Sequence, residues 1–211
     1  MYKQIINQLN FVIENNQIKM GNTIYGIENQ KIFKSLKNFQ SSSSQSHTNI
    51  YLKFKLKKEE KLNLFKFKFE TDMQVLCSTL EKCINLKILI LEFDWSKIDS
   101  QNAEKLGLAL TNCINICILS IDLNGNQIGD VGASNLCKGL TKLTHLSQLT
   151  LKLNGNNIRN EGAIKLAKDI QACQRLLIVQ LFLYRNYISV YQLNNILGKS
   201  KRLVKKYVIT Y

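Results

Sequence analysis

Proline is missing from all 211 residues, and the chain holds only four arginines, two histidines and one tryptophan. It also lacks any run approaching the roughly 18 apolar residues of a membrane span. The opening MYKQIINQLNFVIENNQ is too polar for a secretory signal. No Asn-x-Ser/Thr sequon occurs, and the six cysteines fall into no regular pairing frame. These absences together predict a cytoplasmic protein with reduced thiols. His47 and His145 stand beside no repeated acid or nucleophile, so neither a Ser–His nor a Cys–His catalytic arrangement is expected. Cys113 and Cys117 have the spacing of a metal half-site but no second half. The expectation is a chain with no enzymatic role, no metal and no cofactor.

Positive charge is plentiful, at a net +14. Clustered Lys and Arg release counterions from a phosphate backbone, which invites a nucleic-acid or anionic-surface reading. Here the excess divides evenly, with 12 basic and 5 acidic residues in 1–70 and 17 and 10 in 71–211. The 25 Lys and 23 Asn, set against no Pro, also match what A-rich codons would produce without selection for a polyanion. Dense basic clusters occur at Lys53, Lys55, Lys57, Lys58, Lys61, Lys66 and Lys68, and at Lys199, Lys201, Arg202, Lys205 and Lys206. Such charges also protect sheet edges from aggregation.

Internal repetition is the strongest signal. From residue 81 the chain falls without a gap into rows 81–110, 111–140, 141–170 and 171–200, with a partial row 201–211. The ninth position is Leu89, Leu119, Leu149, Val179 and Ile209; the eleventh is Leu91, Ile121, Leu151, Leu181 and Tyr211; the thirteenth is Phe93, Leu123, Leu153 and Leu183. Alternate apolar residues predict a strand with one face buried. The eighteenth position is isoleucine in all four full rows: Ile98, Ile128, Ile158 and Ile188. Beyond it Ala103, Leu106 and Leu110, with their counterparts below, take the three-and-four spacing of an amphipathic helix. Ser100, Asp130, Asn160 and Ser189 are the expected helix N-caps. Each row is one strand, one turn and one helix, too small to bury its own apolar face, so successive rows must stack.

These residues resemble the leucine-rich repeat family, and within it the ribonuclease-inhibitor-like subtype. Leu146, Leu149, Leu151, Asn156, Ile158, Gly162 and Ala163 carry the pattern. The fold implied is an α/β, right-handed leucine-rich repeat solenoid, a horseshoe with the parallel sheet on the concave side and helices on the convex side. Two extra residues between strand and asparagine lengthen the strand by one full pleat without changing which side chains face inward. The resemblance implies that Asn126, Asn156 and Asn186 form a structural ladder where the strands end, with Ser96 in that column of the first row. It also implies that the glycine-rich LNGNQIGDVGASNL shapes a turn. A phosphate cradle would occur once and carry a Lys followed by Ser or Thr. LGKS at 197–200 has Leu193 where a P-loop needs glycine.

Function then rests on the surface. Ile88, Ile90 and Glu92, then Ile118, Ser120 and Asp122, then Gln148, Thr150 and Lys152, then Ile178, Gln180 and Phe182 are expected on the concave sheet face, with Trp95, Tyr184 and Arg185 at the strand exits. Five strands span about 20 Å, room for a helix, a loop or the edge of a small domain. The predicted function is a non-enzymatic protein–protein interaction module with its partner on this face, acting alone or as a structural subunit of a larger assembly. The alternatives are cover of the face by this chain's own N-terminal segment, RNA or anionic-surface binding through the Lys clusters, and a GTPase-regulator-like role of the kind the resemblance includes.

The N-terminal part predicts less. Residues 1–14 and 27–40 have helical apolar spacing and SSSSQSH reads as a linker, giving an N-terminal segment of 1–49. IYLKFKL and LFKFKF alternate as strands, either a capping hairpin or degenerate repeat strands, and Thr71–Leu80 supplies a repeat-type helix, giving a unit of 50–80. At the other end Lys201–Tyr211 is a minimal closing strand, an edge that a partner covers, or the mark of a truncated longer array.

Overall fold

The structure is a computed structural model that describes residues 12–14, 17–20, 23–26, 30–33, 40–42, 49–53, 69–198, 203 and 205–209. Its elements, in chain order, are β1 (Val12–Glu14), β2 (Gln17–Met20), β3 (Thr23–Gly26), β4 (Gln30–Phe33), β5 (Asn49–Lys53), α1 (Phe69–Leu80), β6 (Ile88–Glu92), α2 (Ser100–Leu110), β7 (Ile118–Asp122), α3 (Gly129–Leu140), β8 (Gln148–Lys152), α4 (Asn160–Ala172), β9 (Ile178–Phe182), α5 (Val190–Gly198) and β10 (Lys205–Ile209). Strands β4 to β10 form one parallel sheet in sequence order, so each repeat lies beside its sequence neighbour.

The 30-residue period is kept in the pairing: Leu89 aligns with Leu119, Leu119 with Leu149, and Leu149 with Val179. The ninth, eleventh, thirteenth and eighteenth columns are the core, with Leu89, Leu91, Phe93 and Ile98 all at 0% exposure. Leu106, Leu110, Leu136, Leu140, Leu166 and Ile170 meet them from the helices. Strands sit about 4.8 Å apart whereas packed helices need about 8–10 Å, so the sheet takes the inside of the curve and the helices the outside. The chain is an α/β leucine-rich repeat solenoid.

Helices α2 and α3 approach backbone to backbone. A Cβ on Gly139 would stand 2.0 Å from the Gly107 carbonyl oxygen, and one on Gly107 would stand 2.8 Å from the Asn135 carbonyl oxygen. Neither position has room for a side chain.

Several expectations need correction. Residues 12–33 contain strands rather than helix, with β1–β2–β3 an antiparallel sheet. The pairing runs Glu14↔Gln17 between β1 and β2 and Met20↔Thr23 between β2 and β3. Short apolar runs cannot be told apart as helix or strand by spacing alone. β5 pairs in parallel with both β4 and β6, so the IYLK of IYLKFKL enters the sheet as a repeat-type strand and not as half of a hairpin, the rest lying outside the described residues. LFKFKF lies outside the described residues except for Phe69, which opens α1. Most of SSSSQSH, the side chains of the Lys53–Lys68 and Lys199–Lys206 clusters, and Lys199-Ser200 of LGKS also lie outside them.

The fifth row departs from the gapless phase. Lys206 and Val208, not Ile209 and Tyr211, align with Val179 and Leu181. Leu203 keeps its core place, at 8% exposure, but the sixth position is Lys206 where the other rows place Leu86, Ile116, Leu146 and Leu176. The pairing therefore runs three residues ahead of the gapless phase, and Val208 packs against the core.

Gly139→Ala is expected to push α2 from α3 and lower the unfolding free energy by about 1–3 kcal/mol in chemical denaturation, against the gain of a few tenths that Ala ordinarily brings to a helix.

Candidate functional site

Three polar ladders tie the strand exits together. In the first, Asn126 Oδ1 accepts from the Ile98 amide at 2.9 Å while its Nδ2 donates to the Phe93 and Leu123 carbonyls, both at 2.8 Å. Asn156 accepts from the Ile128 amide and donates to the Leu123 carbonyl at 2.8 Å. Asn186 accepts from the amides of Asn156 and Ile158, both at 3.0 Å, and donates to the Leu153 carbonyl at 2.8 Å. Each side chain thus serves the thirteenth and eighteenth positions of the preceding repeat. Ser96 Oγ donates to the Asp94 carbonyl at 3.3 Å.

The second ladder runs the other way and was not anticipated: Asn124 Oδ1 accepts from the Asn154 amide at 2.9 Å, and Asn154 Oδ1 from the Tyr184 amide at 2.7 Å. The third corrects the N-cap assignment. Asp130 and Asn160 accept from the amides of Arg159 and Ser189 in the following repeat, at 2.6 and 2.5 Å, and α3 and α4 have no side-chain cap. In α2 the cap is Asp99, which accepts from the Asn102 amide at 2.8 Å, rather than Ser100. Short polar side chains at a helix start look alike in sequence whether they bond forward within the helix or across to the next repeat.

The sheet face carries the predicted residues in the predicted alternation but is less open than expected. Ile90, Ile118, Ser120, Thr150 and Gln180 are buried, and Thr150 Oγ1 donates to Gln180 Oε1 at 3.0 Å. Ile88, Glu92, Asp122, Gln148, Lys152, Ile178 and Phe182 are half-buried, with Lys152 and Asp122 paired at 3.0 Å. On a sheet curved toward this face, rows 4.8 Å apart crowd each other, so alternation decides which face a side chain takes but not how far it is exposed.

Large exposed side chains occur at the strand exits and the start of α5, and elsewhere at Ile84, Leu108, Ile114, Val131 and Leu177. Trp95 is 66% exposed, Tyr184 43%, Tyr187 69% and Tyr191 80%; Arg185 is exposed and its guanidinium lies 5.4 Å from the Tyr184 ring centre. Of these, Tyr187 and Tyr191 escaped the sequence reading because they lie beyond the strand, where the repeat pattern gives no face.

The fifteenth position is left-handed in all four repeats: Trp95 (φ 56°), Gly125 (67°), Gly155 (63°) and Arg185 (56°). The cause is a forward backbone ladder, in which Trp95, Gly125 and Gly155 donate to the carbonyls of Asn124, Asn154 and Tyr184, each at 2.8 Å. Glycine takes this conformation freely; an L side chain gives up about 1–2 kcal/mol. The Trp95 indole lies over Gly125, where a Cβ would be 2.4 Å from the ring.

The six cysteines are all free. Cys113 and Cys173 donate from Sγ to the Leu80 and Leu140 carbonyls of the preceding helices, at 3.2 and 3.7 Å, so the column is a weak fourth ladder as well as core. Burial pushes the thiols of Cys77 and Cys113 up to about 12 and that of Cys83 up to about 11, with Glu81 adding to the rise at Cys77 and Cys113. Thiols held protonated in this way are poor nucleophiles and poor metal ligands. Among the described residues no group of three or more His, Cys, Asp or Glu is placed to hold a metal ion, and no helix is long and apolar enough to cross a membrane.

A family model described as "Leucine Rich repeat" matches residues 115–137 and 148–167, which are parts of the second and third rows. No curated protein matches the sequence. Among solved structures the chain is similar to one described as "Crystal structure of TLR13-ssRNA13 complex", at 13% identity and a TM-score of 0.27, over 84% of this chain and 34% of that one. The chain therefore spans about a third of that protein. The ladders and the parallel sheet fit a leucine-rich repeat solenoid, and the family model matches parts of two of its repeats.

Two outcomes test this chemistry. Asn156→Ala strips two repeats of shared hydrogen bonds at a 0% exposed site and is expected to cost about 2–4 kcal/mol in denaturant unfolding. Because the folded-state thiol values lie above the ordinary 9.0, the stability they contribute is complete below pH 9 and is lost as pH rises toward 11–12. A thermal melting series from pH 8 to 12 should fall over that window, and in the native protein at neutral pH a thiol reagent should label the half-buried Cys117 first.

Proposed function

We propose that this protein is a non-enzymatic protein-binding module, acting alone or as a structural subunit, and that its partner seats on the strand-exit edge and the adjoining half-open sheet face. The observation that carries this is the exposure of Trp95, Tyr184, Arg185 and Tyr187 at the exits of the first and fourth repeats, with Tyr191 at the start of α5, aromatic residues and arginine being enriched in binding hot spots. Glu92, Asp122, Lys152 and Phe182 stand at the exit ends of their strands, whereas Ile88 and Ile178 stand at the strand starts, and Ile90, Ile118, Thr150 and Gln180 lie too deep to make the first contact. The ribonuclease-inhibitor-like subtype is supported by the helices of 11 to 13 residues in α2, α3 and α4. A cytoplasmic setting is supported by the free thiols.

Nucleic-acid binding is the second reading, favoured by the net charge of +14. The exit edge argues against it, because Glu92, Asp94, Asp99 and Asp122 offset Lys97, Lys152, Arg159 and Arg185. A GTPase-regulator role has no residue to carry it.

Affinity capture from cell extract separates these readings. Protein partners of the wild type should persist from about 50 to about 500 mM salt and be lost with Phe182→Ala plus Tyr184→Ala. Binding that vanishes with salt and with ribonuclease would overturn the protein-binding reading.

A further inference from the structure

The exit edge carries two residues that the fold does not ask for. At the fifteenth position the backbone is left-handed in every repeat, and the second and third repeats meet that demand with Gly125 and Gly155. The first and fourth carry Trp95 and Arg185 at φ 56°. A bulky side chain at positive φ is strained, and strain of this kind persists where surrounding structure enforces it and function uses it. Both side chains are exposed, so core packing does not repay the cost.

We propose that Trp95 and Arg185 are recognition residues for an acidic segment of a partner protein, which lays an apolar or aromatic side chain against the Trp95 indole and a carboxylate on the Arg185 guanidinium. This rests on the protein-binding reading above and names the partner's chemistry. The space between the two fits such a segment. The indole covers Gly125, whereas nothing stands over Gly155 except the Gly125 Cα at 3.9 Å, so a foreign backbone can come close there. From Gly125 to Arg185 is two repeat steps, about 10 Å, a distance an extended chain crosses in about three residues. Arg185 is already steered by its stacking on Tyr184, and among the described residues no carboxylate pairs with it. A guanidinium so placed forms bidentate bonds with a carboxylate. Asp122, in contrast, is held by Lys152. A phosphate chain running along this edge would meet as many carboxylates as cations, which favours a protein segment with a few acids over a polyphosphate.

Trp95 is the sole tryptophan, so its emission reports on the slot directly. The probe is a synthetic hexapeptide of alternating Phe and acidic residues, titrated into the full-length protein beside the same peptide with Lys in place of its acids and beside oligouridylate. The acidic peptide should shift the emission to shorter wavelength saturably, and Arg185→Gly should weaken that binding about tenfold or more. Trp95→Gly and Arg185→Gly, which install the residue of the middle repeats, should each raise the melting temperature by about 2–4 °C. The proposal is overturned if both glycine variants melt lower, if the acidic peptide has no effect, or if the lysine peptide or oligouridylate binds as well or better. If Trp95→Gly and Arg185→Gly still capture the wild type's protein partners while the peptide is inert, this proposal fails and the protein-binding reading stands. If the wild type captures no specific protein partner, that reading fails too, and this proposal with it.

Discussion

Each repeat of this solenoid meets the same difficulty at the same place. Where a strand ends and the chain turns toward the helix, backbone amides and carbonyls leave the sheet ladder inside a dry core, and each one left unbonded costs about 1–3 kcal/mol. The asparagines at the sixteenth position answer this by reaching into the repeat before: Asn126 to Phe93 and Ile98, Asn156 to Leu123 and Ile128, Asn186 to Leu153 and Ile158. An asparagine can do so only if the next repeat arrives in register. The ladder is therefore what makes the 30-residue spacing compulsory, and the aligned core columns follow from it.

The same constraint separates structure from surface. Columns fixed by the ladder are filled with Leu, Ile and Ala, or with Asn and Gly, and say nothing about a partner. Residues that break their column without improving the fold are the informative ones. Trp95 and Arg185 occupy a place where Gly125 and Gly155 would be easier, and Tyr187 in the turn and Tyr191 at the start of α5 are exposed. The sheet face, which periodicity marks as the natural binding side, is largely closed in its middle row by Ile90, Ser120, Thr150 and Gln180. The proposed recognition surface is accordingly the exit rim of the sheet, with Phe182 beside it.

Much of the fold was legible because repetition multiplies a weak signal. One row of alternating leucines is ambiguous, whereas four rows in phase specify strand, turn, helix and stacking direction at once. What was not legible depends on neighbours distant in sequence. Asp130 and Asn160 have the residue type and position of helix caps, and only the placement of Arg159 and Ser189 a repeat later shows what they bond. Cys113 reads as a small hydrophobe until the Leu80 carbonyl is found 3.2 Å from its sulfur. Residues 12–33 lie outside the repeat, so their short apolar runs had no second copy to arbitrate between helix and strand. The fifth row lost phase, with Lys206 standing where the other rows place a buried apolar residue. At the candidate site the side of the solenoid was predictable, but exposure was not, since burial on a curved sheet depends on the height of neighbouring rows.

Amide hydrogen exchange followed residue by residue tests the ladder most directly. The amides of Ile98, Ile128 and Ile158 lie outside every strand and helix, yet bond to the carboxamide oxygens of Asn126, Asn156 and Asn186 at 0% exposed positions. They are predicted to exchange as slowly as the central strand amides of Leu119 and Leu149, with protection set by global unfolding. Exchange at the rate of an exposed turn would contradict the claim that the asparagine ladder locks the repeats in register.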